Sequence, residues 1–438
     1  MLRIASGAGF SGDRLEPAVE LAQRARLDYL VLECLAERTI ALAQKRKQQD
    51  PALGYDPLLE KRIRSLLPII AKNGVRIITN MGAANPVSAA EKIIEIAEEF
   101  KVPIKVAAVT GDDVLMFIHK NKETVEFFPS LNENDFIISA NAYMGAEAIV
   151  KALETGANII ITGRVADPSL FLAPMMHHFG WSAEDEELLG RGTVIGHLLE
   201  CGGQITGGYF ADPGIKDVPD MARLGFPIAE IQPDGTAVIF KLPETGGILN
   251  RMTVKEQLLY EVMDPSEYMT PDVIADFTSV CIREVGTDLV EVTGGHGKKR
   301  PEGLKASIGY EAGFIGEGEI TYAGHNALKR AELAGDIVKT RLQDRFKELT
   351  IDLIGVTSAH RGGIDRFGQP YEVRLRVAAK AESLEDAQMI GEEVEALYTN
   401  GPAGGGGARK YVQEVVGIVS AIVPREAVHP TILVKETL

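Results

Sequence analysis

His197, Glu200 and Cys201 have the spacing that chemistry on one helix face requires. Residues three and four positions apart in a helix lie side by side. An imidazole beside a carboxyl or a thiol forms an acid–base pair, half of a metal site or an activated thiol. The structural alternative is a backbone-bonded histidine and a small packed thiol. We predict that His197 and Glu200 are catalytic, and we favour packing for Cys201.

Arg164 and Asp167 place a cation and a carboxylate three residues apart after an apolar run. An arginine binds carboxylate or phosphate through two parallel hydrogen bonds, and an aspartate can act as a base. Two structural alternatives stay open. The side chains could pair with each other and shape the loop, and Pro168 makes Asp167 a natural N-cap. We predict anion binding by Arg164 and catalysis by Asp167.

A glycine-rich loop follows the first apolar run, at residues 6–14. Glycines let the backbone approach an anion, and free N–H groups at a helix start point toward it. We predict that this loop binds an anion through Gly7, Gly9, Ser11, Gly12 and Arg14. The same glycines match a dinucleotide pattern, with Glu33 at the offset of its acidic residue. We favour that interpretation less, because Phe10 and Ser11 are unusual inside such a fingerprint.

Six apolar runs in the first 170 residues end in polar or glycine-rich segments, at residues 6–14, 33–34, 79–86, 110–113, 139–141 and 162–168. A packed sheet needs the apolar runs, but it does not need polar residues at the point where each run ends. In α/β folds, ligands bind at the carboxyl ends of parallel strands. Asn80 directly follows one run, and its amide suits recognition of a hydroxyl or carbonyl group. We predict that Asn80 belongs to the same anion site.

Helical patterns separate these runs, which predicts βαβ crossovers. We expect an α/β domain over residues 1–215, with a mostly parallel open sheet and flanking helices. A closed barrel is the competing architecture. One helix over residues 182–201 should be interrupted near Gly190–Gly192. Residues 216–438 should form an α+β domain, which could divide near residue 350.

The composition excludes some functional classes. The 438 residues carry a formal net charge of −16, which disfavours nucleic-acid binding. Three widely spaced cysteines support neither a zinc ribbon nor a disulfide framework. We predict no metal ligands, because no contiguous ligand motif is present. The sequence shows no signal pattern and no apolar run of membrane-spanning length, so we expect a cytoplasmic protein without a membrane partner.

Several of these motifs together resemble one family, the acyclic terpene utilisation AtuA-like proteins. The resemblance depends on residues 6–14, 80–86, 162–167, 200–204, 206–208 and 401–406. It implies a cytoplasmic protein of acyl-CoA or branched-carboxylate catabolism, and a possible small companion protein. It assigns no reaction and no residue roles.

We therefore expect an enzyme that binds a small-molecule carboxylate or acyl-CoA and performs lyase or hydratase chemistry on a hydroxy-acid or branched acyl substrate. The alternative is a non-catalytic binding or scaffold subunit that works with the small companion protein. A homo-oligomer is expected in either case. The sequence leaves any cofactor unidentified.

Overall fold

The computed structural model describes residues 1–131, 135–360 and 370–437. The chain forms two compact units. The first contains the described residues of 1–132, 137–309 and 418–438, and the second consists mainly of the described residues of 310–417. Of the described helices, none is both long and apolar enough to cross a membrane.

The elements alternate along the first part of the chain and become strand-rich later. In chain order they are β1 (Leu2–Ala8), α1 (Glu16–Arg24), β2 (Tyr29–Leu32), α2 (Glu37–Gln49), α3 (Leu59–Asn73), β3 (Arg76–Thr79), α4 (Pro86–Phe100), β4 (Lys105–Thr110), α5 (Leu115–Lys120), β5 (Phe127–Phe128), β6 (Ile137–Ala142), α6 (Ala146–Glu154), β7 (Ile159–Thr162), α7 (Asp167–Phe179) and α8 (Glu186–Glu200). They continue with β8 (Pro227–Ile231), β9 (Ala237–Lys241), α9 (Arg251–Leu259), β10 (Tyr268–Met269), β11 (Ile274–Asp276), β12 (Cys281–Gly286), β13 (Leu289–Thr293), β14 (His296–Lys298), β15 (Gly303–Ala323), α10 (Ala327–Leu342), β16 (Leu349–Ile354), β17 (Glu372–Ala381), α11 (Leu384–Glu395), α12 (Leu397–Asn400), β18 (Gly406–Pro424) and β19 (Thr431–Glu436).

The central sheet of the first unit is mixed, which corrects the prediction of a mostly parallel sheet. Its ten strands are ordered β12-β13-β9-β8-β1-β2-β3-β7-β4-β19. The five strands from β1 to β4 in this order pair in parallel. The four strands beyond β1 and the strand β19 beyond β4 all pair antiparallel. The added strands come from later, strand-rich segments, whose hairpins extend the sheet without crossover helices.

Helices cover both faces of the parallel strands. Strands β2 and β7 are buried along their whole length, which explains their continuous apolar sequence. Helices α1, α3 and α4 pack into one hydrophobic core with the sheet, while α7 and α8 contact β1. The segments after β1, β2, β3 and β7 consequently leave the sheet at the same carboxyl edge.

Only five of the six apolar runs join this sheet. The run at residues 136–138 becomes β6, which pairs with β15 instead. The end of β6 still lies beside the segment that follows β4, because Asn141 donates a hydrogen bond to Asp112 at 2.8 Å. The sequence pattern identifies a buried strand but does not identify its partner.

Helix α8 is continuous, so the predicted interruption at Gly190–Gly192 is wrong. Gly192 packs against Leu172 and Trp181, and Gly190 packs against the backbone of His296. Both glycines permit close approach of a neighbouring element rather than a break in the helix.

The second unit has the order β15-α10-β16-β17-α11-β18, in a sheet ordered β16-β17-β15-β18. This βαββαβ arrangement is that of the ferredoxin-like split βαβ motif. Helices α10 and α11 pack on the sheet in a separate hydrophobic core. The second unit thus has the α+β architecture that was expected in the later part of the chain.

The division near residue 215 is not confirmed. The first unit continues to residue 309 and takes back residues 418–438. Strands β8, β9, β13 and β12 extend the first sheet, so residues after 215 contribute to the same core. The chain leaves the first unit within β15, forms the ferredoxin-like unit, and enters the first unit again within β18.

Candidate functional site

A cavity of about 1060 Å³ opens in the first unit, where β1, β2 and β7 end. Its walls also include the end of α8 and several later segments. The residues that line it are 9–11, 13, 14, 33–37, 39, 143, 166–168, 197, 200, 201, 203, 204, 208, 209, 221, 224, 226, 260, 261, 268–271, 301, 303–305, 420 and 422. Three of the residues predicted to be catalytic, Asp167, His197 and Glu200, lie in this cavity.

Glu200 and His197 form a buried pair at the last turn of α8. Oε1 of Glu200 lies 2.8 Å from Nδ1 of His197, and Nε2 of the same ring lies 3.2 Å from the carbonyl oxygen of Leu258. A carbonyl only accepts hydrogen bonds, so Nε2 carries the proton of the neutral ring. One further proton must then lie between Nδ1 and Oε1.

That proton belongs to Glu200 when both groups are neutral. Burial lowers the pKa of His197 to about 4. Burial, together with the nearby carboxylate of Asp167, raises the pKa of Glu200 well above its ordinary value. The second carboxyl oxygen, Oε2, is buried without a hydrogen-bond partner in the described chain. The raised pKa of Glu200 and the lowered pKa of His197 favour a protonated carboxyl group that donates to the imidazole.

Asp167 lies at the start of α7 and pairs with Arg164. The guanidinium of Arg164 donates to a carboxylate oxygen of Asp167 and to the carbonyl oxygens of Leu35 and Val165. The Arg164 side chain is 1% exposed, whereas that of Asp167 is 36% exposed. Burial raises the pKa of Asp167, and the guanidinium opposes that rise. Asp167 thus lines the cavity while its carboxyl group is bonded to the buried guanidinium.

These contacts correct two predictions. Arg164 does not line the cavity, and its donors are engaged within the protein, so its placement does not support a direct clamp on substrate. The alternative of a mutual Arg164–Asp167 ion pair describes the geometry. Asp167 is also the first helical residue rather than the N-cap, a position that Ala166 occupies.

Glu33, directly after β2, is held by Asn80. The Asn80 amide donates to Oε1 of Glu33 at 2.9 Å, and its carbonyl oxygen accepts from the N–H of Cys34 at 2.7 Å. The N–H of Leu35 donates to the same Oε1 at 2.8 Å. Burial and the Asp167 carboxylate raise the pKa of Glu33 to about 8. Asn80 is fully buried and does not line the cavity, so it positions Glu33 rather than a substrate.

One polar wall was not predicted. The hydroxyl of Tyr143 donates to Oε1 of Glu37 at 2.5 Å, and Nζ of Lys305 donates to the same oxygen at 3.0 Å. The guanidinium of Arg164 and the ammonium of Lys305 both lie near the Tyr143 ring, 4.6 Å and 5.0 Å from its centroid. Although burial acts in the opposite direction, these two hydrogen bonds lower the pKa of Glu37 to about 2. Lys305 comes from β15, far along the sequence, and no local motif marks it.

The glycine-rich loop is held by hydrogen bonds within the protein. The N–H of Gly9 donates to Asp13 at 2.8 Å, and the hydroxyl of Ser11 donates to Asp56 at 2.6 Å. Buried Arg62 donates to the carbonyl oxygens of Ser11 and Asp13, both at 3.0 Å. The carboxyl group of Asp13 therefore engages the Gly9 N–H, one of the donors that the prediction gave to a bound anion.

The predicted loop residues divide by position. Gly9, Ser11 and Arg14 line the cavity, whereas Gly7 and Gly12 do not. Gly7 lies within β1, where a Cβ would meet the Leu32 side chain at 2.7 Å. A Cβ at Gly12 would meet the ring of Phe10 at 2.6 Å. Both glycines serve packing, and this geometry gives no support to the dinucleotide interpretation.

Arg14 is an exposed cation of the cavity. Nη1 donates to the carbonyl oxygen of Ala222 at 2.8 Å. Within the described chain, no carboxylate forms an ion pair with this guanidinium. Its remaining donors have no carboxylate partner among the described residues, so the anion-binding role of Arg14 stays a prediction that this geometry permits.

The rest of the lining is largely apolar and aromatic. It includes Leu35, Leu224, Phe226, Tyr260, Tyr268 and Met269. Tyr268 packs against His197 with ring centroids 5.1 Å apart. Phe10 and Tyr209 are exposed at 60% and 87% of their surface. The sequence missed these residues because apolar side chains scattered over many segments carry no motif.

The thiols and carboxyls give no sign of thiolate or metal chemistry in the described residues. All three cysteines are free. Burial raises the pKa of Cys34 and of Cys201, which disfavours the nucleophilic thiolate. Across residues 1–131, 135–360 and 370–437, no group of three or more His, Cys, Asp or Glu side chains has the arrangement of a metal site.

Comparisons with known proteins give one match. Searches of curated proteins and of solved structures found no similar protein. The family model described as acyclic terpene utilisation family protein AtuA matches residues 2–434, nearly the whole chain. The motifs that carry the resemblance include the β1 loop, the Asn80 segment and the end of α8, which surround or support the cavity. The chain therefore belongs to the AtuA family of acyclic terpene utilisation proteins.

Proposed function

We propose that this protein is an enzyme of hydratase or lyase type, which acts on a carboxylate or acyl thioester with an apolar, branched chain. The observation that carries the proposal is the buried contact between Glu200 and His197, located in the same cavity as the carboxyl group of Asp167. Two titratable groups with opposed protonation states are the usual basis for acid and base assignments. The role is consistent with a family linked to acyclic terpenes.

The expected protonation states assign different roles to three carboxyl groups of the cavity. The pKa of Glu33 is raised to about 8 and that of Glu200 well above its ordinary value, which favours the protonated form of both groups. The pKa of Asp167 is raised as well, but its direct hydrogen bond to the Arg164 guanidinium favours the ionised form. Like charges packed closely cannot all persist in a buried site. The cavity thus contains one base, Asp167, beside two proton donors.

Elimination of water uses this arrangement directly. Asp167 removes the proton from the carbon next to the carbonyl group, while Glu200 gives its proton to the departing hydroxyl, which leaves as water. The electron pair of the broken C–H bond forms the C=C bond. Hydration is the reverse. In the resting state His197 accepts the hydrogen bond of Glu200 and so positions the carboxyl group.

The cavity also fits the proposed substrate. Arg14 has donors available for a carboxylate, and an arginine binds this group in a bidentate manner. The apolar and aromatic walls suit a hydrocarbon chain, because burial of apolar surface contributes about 25 cal/mol per Å². A volume of about 1060 Å³ lies at the upper end of the range for small-molecule sites.

The test is proton exchange in D₂O. The full chain is incubated with 2-enoyl and 3-hydroxyacyl acids and thioesters, both linear and methyl-branched, and deuterium incorporation and water addition are followed by NMR and mass spectrometry. Glu200→Gln should reduce turnover by about 10²–10⁴-fold, because the amide donates to His197 but transfers no proton to substrate. Asp167→Asn should abolish exchange at the carbon next to the carbonyl.

Glu244→Gln is the matched control, because Glu244 is 89% exposed and lies outside the cavity lining. It should keep wild-type turnover. Turnover by Glu200→Gln equal to that of the control, for a substrate that the wild type converts, would contradict the acid role. An absence of exchange or addition with every compound of the panel would contradict the proposed reaction class.

A further inference from the structure

Lys305 brings a second cationic side chain to the cavity. Among the described residues that line the cavity, Arg14 and Lys305 are the arginine and the lysine. Arg14 belongs to the loop after β1, whereas Lys305 lies near the start of β15 and is 47% exposed. The N–H of Tyr143, which directly follows β6, donates to the carbonyl oxygen of Lys305 at 2.8 Å. Backbone pairing therefore fixes the position of Lys305 in the cavity wall.

The ammonium group of Lys305 is held by Glu37 and keeps donors for a ligand. Nζ has three N–H donors, and within the described chain it makes one hydrogen bond, to Oε1 of Glu37 at 3.0 Å. The same oxygen accepts from the Tyr143 hydroxyl at 2.5 Å. Although burial acts in the opposite direction, these two hydrogen bonds lower the pKa of Glu37 to about 2. Glu37 is therefore ionised near pH 7 and provides a constant counter-charge beside the ammonium.

The proposed base, Asp167, belongs to the same cluster of side chains. Its partner, the guanidinium of Arg164, lies 4.6 Å from the centroid of the Tyr143 ring. Nζ of Lys305 lies 5.0 Å from the same centroid. Burial raises the pKa of Asp167, whereas the charges of Arg164 and Lys305 lower it. Asp167 and Lys305 therefore border one region of the cavity, next to Tyr143.

Removal of a proton next to a carbonyl group creates a negative charge that needs a donor. The electron pair of the broken C–H bond first moves onto the carbonyl oxygen, which becomes an enolate, and then forms the C=C bond as the hydroxyl departs. A donor already in place where this charge develops stabilises the transition state. The proton of Glu200 is used for the departing hydroxyl. Glu33 is 7% exposed, and a neutral donor forms a weaker hydrogen bond to an anion than an ammonium group does.

We propose that Lys305 is a catalytic residue, whose ammonium group donates a hydrogen bond to the enolate oxygen formed when Asp167 removes the proton. The inference rests on the proposed function, because it requires proton removal next to a carbonyl group. The carbonyl group of an acyl thioester is neutral in the bound substrate and becomes charged only during the reaction. The interaction with Lys305 should therefore raise kcat and change KM little.

Substitution of Lys305 tests this role. The full chain is incubated in D₂O with 3-hydroxyacyl thioesters, and exchange of the proton next to the carbonyl group is followed by NMR. Lys305→Met removes the charge and should lower kcat for exchange by about 10²–10³-fold, with little change in KM. Lys305→Arg keeps the charge and should recover part of this loss. Lys298→Met is the matched control, because Lys298 is also 47% exposed and lies outside the cavity lining. It should keep the wild-type kcat.

Glu37→Gln separates catalysis from a purely structural ion pair. It keeps an acceptor for Tyr143 and Lys305 but removes the counter-charge, so it should lower kcat less than Lys305→Met does. Equal losses in these two variants would overturn the inference. So would a wild-type kcat in Lys305→Met, a loss confined to KM, or a larger loss of kcat in Glu33→Gln than in Lys305→Met. An absence of exchange by the wild type would instead contradict the proposed function, and this inference with it.

Discussion

The two units use the same ion-pair chemistry at different depths. In the first unit Arg164, 1% exposed, bonds Asp167 at the cavity. In the second unit Arg376, 36% exposed, bonds Glu317 at 2.5 Å on the face of a sheet. Removal of one partner from a buried pair leaves an uncompensated charge, whereas water replaces the partner of an exposed one. The burial of an ion pair, rather than the number of ion pairs, therefore decides how much stability is lost when one partner is removed.

The largest effect should follow loss of the buried guanidinium. Arg164→Ala leaves Asp167 unpaired and the carbonyl oxygens of Leu35 and Val165 without their donor. We expect the free energy of unfolding of the first unit to fall by about 3–5 kcal/mol. Fluorescence of Trp181, the only tryptophan, reports on this unit during urea denaturation. A loss below about 1 kcal/mol would make the buried pair equivalent to a surface pair and remove the contrast.

Asn80→Ala should have the next largest effect. It removes one of the two donors to Glu33 Oε1 and leaves the buried N–H of Cys34 unsatisfied, which costs about 1–3 kcal/mol. Asn73→Ala is the control, because Asn73 is exposed and donates a single bond to Ala22. The control should stay within about 0.5 kcal/mol of wild type. Equal urea midpoints for the two variants would indicate that Asn80 does not hold Glu33.

The neutral carboxyl of Glu33 should make the stability of the first unit depend on pH. Its pKa of about 8 lies above the ordinary value of 4.5, so the folded state binds the extra proton. The resulting stabilisation is complete below about pH 4.5 and is lost as the pH rises toward 8. The slope is at most about 1.4 kcal/mol per pH unit.

Glu33→Gln keeps the acceptor for Asn80 and removes the titration. The difference in urea midpoint between this variant and wild type should shift in favour of the variant as the pH increases from about 5 to about 8. Trp181 fluorescence gives the readout. A difference that stays constant over this range would contradict the raised pKa.

The smallest effect should come from the sheet face of the second unit. Arg376→Ala breaks the contact with Glu317, whose side chain is 19% exposed, and the longer contact of 3.4 Å with the buried Asp352. We expect a loss of at most about 1 kcal/mol. Hydrogen exchange measured by mass spectrometry on peptides of β17 reports this unit separately. A loss comparable to that of Arg164→Ala would show that the ion pairs of Arg376 contribute as much to stability as the buried Arg164–Asp167 pair.

Local patterns predicted the elements well but not their pairing. The apolar runs before Glu33, Asn80 and Arg164 became β2, β3 and β7, as expected from their continuous burial. The run before Asn141 became β6 outside the central sheet. Strand β15, its partner, lies far away along the chain, and no periodicity within either segment encodes that contact.

The candidate site was likewise predicted only in part from local patterns. The spacing of His197 and Glu200 placed both on one helix face, and the structure puts them in hydrogen-bonding contact. For Arg164 and Asn80 the residue types suggested ligand binding, yet burial turned both into supports for Asp167 and Glu33. Tyr143 and Lys305 were not predicted, because they meet only where β15 pairs alongside the end of β6.

By itself, the sequence determined the family, the strand and helix segments, and the group of polar residues that leaves the sheet at one edge. These follow from local chemistry, because hydrophobic periodicity and residue spacing act over a few turns. The tertiary structure alone decided which of those residues reach the cavity, which carboxyls are neutral and where the second unit is inserted. Burial and electrostatic environment depend on groups that are distant along the chain, and only folding brings them together.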